Sequence, residues 1–406
     1  MGVACQGCQA SALQCQGRPG ATRIRGSGVK ILHTSDWHVG KVLKGRSRIK
    51  EQIDVLAEIV GIARTEQPDL VIVAGDLYEN SAPTPEATRI VVRALSALKQ
   101  TGAEVLAIAG NHDNGATLHA LRSWAEAAGI TVRGTMGPAD DHVIRGIATD
   151  GEPWRCVALP FLSQRYALRA TEMFDLTGAE AKQTYADLVR RLLATLTATF
   201  TPDAVNLITA HLTVFGARAG GGEREAHTIQ EYAVPATVFP ASTHYVALGH
   251  LHRRQVVNAP CPVHYSGSPI AVDFGEEENS PGVLLVEVTP DTPAKVREVP
   301  LAAGVPLRTV RGTLAELAAL EPGEAWLRVY VREKPRAGLR EQVQDMLPQA
   351  IEVRIDPDAL SVTENPPRTR REGRSPRELF ATYLAERGHD DPAVRQLFDQ
   401  FYGELQ

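Results

Sequence analysis

The sequence has few cysteines and no long apolar run, and each absence excludes a class of protein. Its 406 residues contain five cysteines, an odd number for so long a chain. Such a set does not form a disulfide framework, so we expect a reducing cytoplasm as the compartment. No uninterrupted apolar stretch is long enough to span a bilayer, so we expect no membrane association.

Positive charge is not in excess either, because 43 lysines and arginines face 48 acidic residues and the net charge is −5. This balance excludes a generally basic coat for nucleic acid, and any such binding must use local patches. A P-loop is missing as well, so any dependence on ATP has to come from a partner.

Residues 1–28 differ from the rest of the chain. They lack the apolar segment of a secretory signal, and their composition is typical of disorder. Cys5, Cys8 and Cys15 offer three zinc ligands, but a fourth is missing nearby, so zinc is the less favoured interpretation. We expect that the start was assigned too far upstream and that the native chain begins near Val29.

From Val29 onward, apolar strands alternate with helical stretches. Continuous Val/Ile/Leu runs are typical of sheets covered on both faces, which predicts a layered α/β fold. The predicted divisions are a main domain at residues 29–281, a small α/β domain at 282–360, a linker at 361–374 and a helical pair at 375–406.

Polar side chains follow five of the predicted strands, at the point where each strand ends. The carboxyl ends of strands form the ligand crevice of α/β sheets, so these groups can converge. Each motif alone is weak, because an aspartate after a strand is usually a turn residue or a helix cap. Five such motifs in the same register predict a metal site with seven ligands: Asp36, His38, Asp76, Asn111, His211, His250 and His252.

Seven ligands indicate two ions, provided that one carboxylate is shared, and Asp76 is the predicted bridge. Two-metal centres hold ions ~3.5–4 Å apart to activate water and to clamp a phosphoryl group. The absence of cysteine ligands suits Mn²⁺, Fe²⁺ or Zn²⁺, and the ligand types do not choose among them.

The motifs Asp36-x-His38, Gly75-Asp76, Gly110-Asn111-His112-Asp113, His211 and Gly249-His250-x-His252 resemble those of the calcineurin-like metallophosphoesterases. The longer strings "ILHTSDWHVG", "ALGHLHR" and "YSGSPI" are similar to the SbcD-like nuclease subunits within that superfamily. The resemblance implies a metallophosphoesterase β-sandwich flanked by helices, followed by a capping domain. It also implies a Mn²⁺-dependent double-strand exonuclease and single-strand or hairpin endonuclease, which acts in DNA repair, recombination and replication on the nucleoid.

The same resemblance assigns roles to individual residues. One ion would take Asp36, His38, Asp76 and His252, and the other would take Asp76, Asn111, His211 and His250. His112 would be the catalytic histidine. Glu79 stands where relatives often have Asp or His. It would either orient His112 or be a solvated turn residue, and we expect Asp113 to be a helix cap or a hydrogen-bond acceptor rather than a ligand.

A basic run follows the first metal motif, with Lys41, Lys44, Arg46, Arg48 and Lys50 close together. It is either a solvated surface or a track for the phosphate backbone of DNA, and we favour the second interpretation. The glycine-rich residues 216–227 predict a mobile loop that could also meet substrate.

Two amphipathic helices are predicted at the carboxyl end, starting at Ser375-Pro376 and at Asp391-Pro392. Leu379, Phe380, Phe398 and Phe401 would form an apolar face for a partner, or would pack on their own chain. By the resemblance, the partner is an SbcC-like SMC-family ATPase, in a heterotetramer that contains a homodimer of this chain. Two other functions remain open: a phosphoesterase for small phosphodiesters or cyclic nucleotides, and a catalytically silent scaffold for the ATPase.

Overall fold

The computed structural model describes residues 28–163, 185–223, 232–360, 376–386 and 391–404. The expectations for residues 1–27, for the linker at 361–374 and for part of the loop at 216–227 lie outside these ranges. Within these ranges, no helix is both long and apolar enough to cross a membrane.

A six-stranded mixed sheet carries the first three metal motifs. Parallel pairing joins Val29–Thr34, Leu70–Val73, Glu104–Ile108 and Ile130–Arg133. Two antiparallel strands extend the other edge, and the spatial order is Thr292–Pro300, Gly282–Thr289, Val29–Thr34, Leu70–Val73, Glu104–Ile108, Ile130–Arg133.

A second six-stranded sheet carries the remaining histidine motifs. Val205–His211 lies at its centre and pairs in parallel with Pro153–Leu159 on one side and Tyr245–Gly249 on the other. The spatial order is Gln255–Val257, Val263–Tyr265, Tyr245–Gly249, Val205–His211, Pro153–Leu159, Val143–Ile147.

The two sheets pack face to face, because their strands are apolar on both sides. Leu70 and Ile72 face a core shared with Leu207 and Ala247 of the second sheet. Val71 and Val73, which alternate with them, face helices on the outside. The predicted layered α/β architecture, a sandwich flanked by helices, is confirmed.

The helices that cover the sandwich have caps and apolar stripes of the usual kind. Thr84 accepts a hydrogen bond from the Ala87 amide and starts a helix with proline at its first position. Among the described residues of the first unit, the α-helices are Ile49–Glu66, Pro85–Lys99, Gly115–Ala120, Arg122–Ala127 and Tyr185–Thr197. Short 3₁₀ turns there are Ala139–His142, Ala236–Val238 and Phe274–Glu276. Two-stranded pairs are Val42–Leu43 with Arg46–Ser47, and Thr213–Val214 with Ala233–Val234.

The chain divides into two compact units near Arg308, not at residue 282. The predicted boundary after residue 281 is therefore wrong as a structural division. Gly282–Thr289 pairs with Val29–Thr34 in the first sheet, and Thr292–Pro300 forms its edge. The edge strand is mostly exposed, and its alternating charged sequence has the pattern that is also expected at the start of a new domain.

The second unit contains a three-stranded sheet with short helices. The strands are Leu307–Gly312, Trp326–Val331 and Ala350–Ile355, of which Leu307, Arg308 and Trp326 still belong to the first unit. The helices in the described residues of the second unit are Leu314–Ala318, Leu339–Met346, Pro357–Leu360, Pro376–Glu386 and Pro392–Glu404. Both carboxyl-terminal helices begin at the prolines that the sequence indicated. Asp391 accepts a hydrogen bond from the Ala393 amide at the start of the second helix.

Candidate metal centre

The seven predicted ligands lie together where strands of the two sheets end. His211 is the last residue of its strand, and the other six follow their strands within a few residues. Asp36, His38, Asp76 and His252 are buried and offer ligand atoms within 4.8 Å of one another. The fold therefore brings the polar residues at the ends of these strands together at one place.

Asp76 lies between the two halves of this cluster. Its Oδ2 atom is 3.7 Å from Nε2 of His38 and 3.4 Å from Nε2 of His211. Its Oδ1 atom accepts a hydrogen bond from the backbone amide of His112 at 2.8 Å. One oxygen of the carboxylate is thus fixed by the protein, and the other faces histidines of both halves.

Asn111 organises the half that contains His211 and His250. Its Oδ1 atom is 2.8 Å from Nε2 of His211 and 2.8 Å from Nδ1 of His250. In the other half, Nε2 of His38 and Nε2 of His252 are 3.0 Å apart. Asp36 accepts a hydrogen bond from the backbone amide of His250 and connects the two halves.

Two of the imidazoles are anchored by a hydrogen bond through Nδ1, and a third, that of His38, turns Nδ1 toward Glu79 without forming a hydrogen bond. All three turn Nε2 toward the centre. Nδ1 of His211 lies 2.8 Å from the carbonyl of Ala74, and Nδ1 of His38 lies 3.2 Å from Glu79 Oε2. Nδ1 of His252 lies 2.5 Å from Glu276 Oε1. His250 has the opposite orientation, because its Nδ1 faces Asn111.

This donor set fits a pair of cations. A carbonyl oxygen only accepts, so the hydrogen of neutral His211 sits on Nδ1 and its Nε2 lone pair faces the oxygens of Asn111 and Asp76. Nε2 of His38 and Nε2 of His252 likewise face each other, and Nδ1 of His252 lies against the Glu276 carboxylate. With both rings neutral and their hydrogens on Nδ1, such an arrangement is repulsive unless a proton or a metal cation lies between the atoms.

Burial and charge shift the pKa values of these groups strongly. Burial raises the pKa of Asp36 to about 6 and lowers that of His38 to about 4. Burial opposes the shifts of Asp76 and His211, but the combined attraction of their neighbours outweighs it. The pKa of Asp76 falls well below its usual range beside His211, His38 and His112, and that of His211 rises to about 9 beside Asp76 and Asp36. Strongly shifted pKa values among buried groups of opposite charge are typical of functional sites.

The backbone at the centre adopts conformations that side chains rarely take. Asp36, His38, Asp76 and His250 have φ angles of 54°, 48°, 51° and 101°. Left-handed backbone at non-glycine residues costs about 1–3 kcal/mol each and persists at functional sites. Gly110, which precedes Asn111, has to be glycine for a different reason: a Cβ at this position would lie 2.1 Å from Asp76 Oδ1.

Glu79 holds His112 beside the cluster, and it does so with its backbone carbonyl rather than its side chain. Nδ1 of His112 lies 2.6 Å from the Glu79 carbonyl, while the Glu79 side chain contacts His38 and forms an ion pair with Lys41 at 2.9 Å. Burial opposes the shift, but His38 and Lys41 together lower the pKa of Glu79 to about 2. Glu79 is therefore not a solvated turn residue.

Asp113 is a hydrogen-bond acceptor, one of the two roles expected for it. Its carboxylate accepts from the backbone amides of Leu77, Tyr78 and Gly110. The cap of the helix that follows is Asn114, which accepts from the amide of Thr117. Asp113 thus fixes the loops that carry Asp76 and Asn111.

Sequence reasoning missed several described residues that contact the cluster, and three of them lie beside its histidines. Glu276 binds His252, Glu223 accepts from the backbone amide of His252 at 2.8 Å, and the ring of Phe161 lies against His211 and His250. None of them follows a strand of a metal motif directly, so no spacing in the sequence marked them. Glu223 also shows that the described part of the glycine-rich loop packs against the centre.

The basic run divides into residues with different surroundings. Lys44, Arg46 and Lys50 are exposed, and the Arg46 guanidinium lies 3.9 Å from the ring centroid of Trp326. Lys41 is half-buried beside Glu79. The prediction that Arg48 binds DNA is wrong, because Arg48 is buried, pairs with Glu51 at 2.6 Å and donates to the carbonyls of Ala271 and Val305.

The predicted partner-binding residues lie on the two carboxyl-terminal helices. Phe380 and Phe398 stack on each other with their ring centroids 4.0 Å apart, and both are half-buried. Leu379 is half-buried, and Phe401 is 56% exposed. Tyr383 and Leu397 are also exposed, at 51% and 52%. The large apolar side chains exposed in the described parts of these helices are Tyr383, Val394, Leu397 and Phe401, and the Phe380–Phe398 stack lies between the helices.

Comparison with known proteins agrees with the fold. Residues 29–253 match the calcineurin-like phosphoesterase family. Residues 304–388 match the family described as the type 5 capsule protein repressor C-terminal domain. The two matches divide between the sandwich and the second unit.

Three curated relatives are SbcD subunits of the nuclease SbcCD. That of Bacillus subtilis is 34% identical over 323 residues, which cover 77% of this chain and 81% of that protein. That of Escherichia coli is 33% identical over 72% of this chain and 73% of its own, and that of Rhodobacter capsulatus is 35% identical over 76% and 78%. The chain belongs to the calcineurin-like phosphoesterases, and within them to the SbcD family.

Proposed function

We propose that this chain is the metal-dependent nuclease subunit of an SbcCD-type complex and hydrolyses phosphodiester bonds of DNA with two divalent ions. The proposal is supported by the family, whose curated members are named as nucleases. It is also supported by the ligand geometry of the centre.

The observation that carries the proposal is the position of Asp76 between His38 and His211, at 3.7 and 3.4 Å from one oxygen. Asp36, His38, Asp76 and His252 would hold one ion, and Asp76, Asn111, His211 and His250 would hold the other. When bound, such a pair activates water and neutralises charge on the phosphoryl group. Nitrogen and oxygen donors without sulfur suit Mn²⁺, which we propose as the ion.

His112 is the residue that we propose to protonate the leaving oxygen. Because its Nδ1 donates to the carbonyl of Glu79, the ring is fixed and Nε2 is the atom that exchanges a proton with substrate. Its backbone amide simultaneously fixes Asp76. A displacement of His112 would therefore disturb both the proton donor and the bridging carboxylate.

Lys44, Arg46 and Lys50 are the basic residues that we propose to follow the DNA backbone. They are exposed and lie on and after a two-stranded turn that begins shortly after His38. Contacts of this kind contribute affinity without sequence specificity. The half-buried Lys41 would instead act close to the centre, through Glu79.

The second unit and the carboxyl-terminal helices have separate proposed roles. The second unit would act as the capping domain that the resemblance implies. The face formed by Tyr383, Leu397 and Phe401 would bind an SbcC-like ATPase, in a heterotetramer that contains two copies of this chain. We further propose that the complex works in the cytoplasm, which agrees with the free, buried Cys156 and Cys261.

Digestion of linear duplex DNA by the purified chain tests the function. Mn²⁺ should permit degradation, EDTA should stop it, and a co-expressed SbcC-like ATPase should make it depend on ATP. Cyclic nucleotides and a small chromogenic phosphodiester are assayed in parallel. Rapid hydrolysis of cyclic nucleotides with intact DNA would contradict the proposal in favour of a small-molecule phosphodiesterase.

A further inference from the structure

A cavity of ≈ 570 Å³ lies directly beside the candidate metal centre. It shares Asn111 with the centre, and its aromatic wall is Phe161. Much of the remaining lining is small or apolar, and includes Gly115, Ala116 and Met136. A space of this size is in the range of small-ligand sites.

Phe161 is fixed so that one ring borders both the centre and the cavity. Its backbone amide donates to the carbonyl of Ala109 at 2.8 Å, which joins the end of its strand to the loop that carries Asn111. Its ring centroid lies 6.4 Å from that of His250, with an angle of 29° between the planes. The His211 ring meets it edge-on at 6.2 Å.

The strongest polar groups of the lining are already engaged. The Asp113 carboxylate accepts from three backbone amides, and the side-chain oxygen of Asn114 accepts from the Thr117 amide. These groups are therefore not positioned to select a hydrogen-bonding pattern on a ligand. What the cavity offers is an aromatic ring in a lining of mostly small and apolar residues, with the short polar side chains of Ser81, Thr135 and Ser163, next to the phosphodiesterase centre.

We propose that this cavity receives the base of a nucleotide next to the scissile phosphodiester and that Phe161 stacks on it. The inference rests on the proposed nuclease function and deepens it by placing a substrate subsite. Base stacking on an aromatic ring tolerates any sequence, because every base has a π-face. The subsite would thus position the strand without restricting which DNA is cleaved.

The test compares two single strands of equal length, one of thymidine nucleotides and one of abasic nucleotides, with Mn²⁺ and the full-length chain. The measured quantity is the ratio of their kcat/KM values. Phe161→Ala should lower this ratio by about tenfold, within the range that base stacking provides. A change in metal occupancy affects both strands equally and cancels in the ratio.

Two further variants make the outcome decisive. Ala116→Trp, at an exposed position of the lining, should fill the cavity and also lower the ratio. Phe215→Ala removes a phenylalanine that is 49% exposed and outside the lining, and should leave the ratio unchanged. An unchanged ratio in both Phe161→Ala and Ala116→Trp would overturn the subsite while the nuclease function stands. Failure of the unaltered chain to cleave either strand would overturn the function itself, and the subsite with it.

Discussion

The carboxylate of Glu276 lies 2.5 Å from Nδ1 of His252, and the exposure of each side chain is 1%. The other oxygen of Glu276 accepts from the backbone amide of Val272, so the carboxylate is fixed at both ends. Burial opposes the shift, but the charge of Glu276 raises the pKa of His252 to about 10. Glu276 therefore determines which nitrogen of His252 faces the candidate metal centre.

Glu276→Gln should weaken Mn²⁺ binding by about 10- to 100-fold, because outer carboxylates orient metal-bound histidines and raise their basicity. The measurement is titration of the metal-free chain with Mn²⁺ by calorimetry. Glu277→Gln is the matched control, since the neighbouring carboxylate is exposed. Equal affinities in the two variants would show that His252 is oriented without Glu276.

Asp76 and His112 should respond differently to substitution. Asp76→Ala should abolish hydrolysis and lower metal content at both positions, because its carboxylate faces both halves of the cluster. His112→Ala should keep its metal but lose about 10²–10⁴-fold in turnover, the usual contribution of a general acid. Metal content is measured by elemental analysis beside the rate of hydrolysis. Loss of metal from His112→Ala as severe as from Asp76→Ala would refute the division of roles.

Lys44→Glu with Arg46→Glu should weaken binding of duplex DNA whatever its sequence, and should flatten its dependence on salt. The reason is the loss of two exposed cations beside the first metal motif. The measurement is fluorescence anisotropy at several salt concentrations. Arg89→Glu with Arg93→Glu makes the same change in net charge on the helix Pro85–Lys99. If both pairs changed the slope equally, only the total charge of the protein would matter.

Arg48→Ala should destabilise the fold by about 3–5 kcal/mol, because it leaves Glu51 without its buried partner. Arg46→Ala should cost about 0.5–1 kcal/mol, the range of an exposed cation–π contact such as that with Trp326. Chemical denaturation of both variants measures the difference. A similar small cost for the two would mean that Arg48 is not a structural residue.

Leu397→Glu with Phe401→Glu should prevent co-purification of the ATPase and leave the melting temperature of the chain unchanged. Both side chains are more than half exposed, so charge there disrupts only an interface that must be dry. Phe380→Glu with Phe398→Glu should instead separate the two helices, because these rings stack on each other. A lower melting temperature for the first pair, with the complex intact, would assign this face to the chain's own core.

The strand-end motifs could be predicted from the sequence because they depend on local order. A buried strand that ends in Gly75-Asp76 or Gly249-His250 delivers its polar groups to one edge of a sheet, whatever the rest of the chain does. The starts of the last two helices could also be predicted from local sequence, since Pro376 and Pro392 suit the first helical turn.

Contacts between distant segments were decided only by the tertiary structure. Glu276 and Phe161 reach the metal ligands through packing of the chain, and no periodicity connects them to His252 or His250. Arg48 belongs to a basic run in the sequence, but carbonyls of Ala271 and Val305 enclose its guanidinium.

The edge strand Thr292–Pro300 was misjudged for a related reason. Its alternating charges indicate a strand with one solvated face, and that pattern is the same at the edge of one sheet as in a new domain. Only pairing with Gly282–Thr289, and through it with Val29–Thr34, assigns it to the sandwich. Local pattern thus determined what each segment is, while packing determined which segments touch.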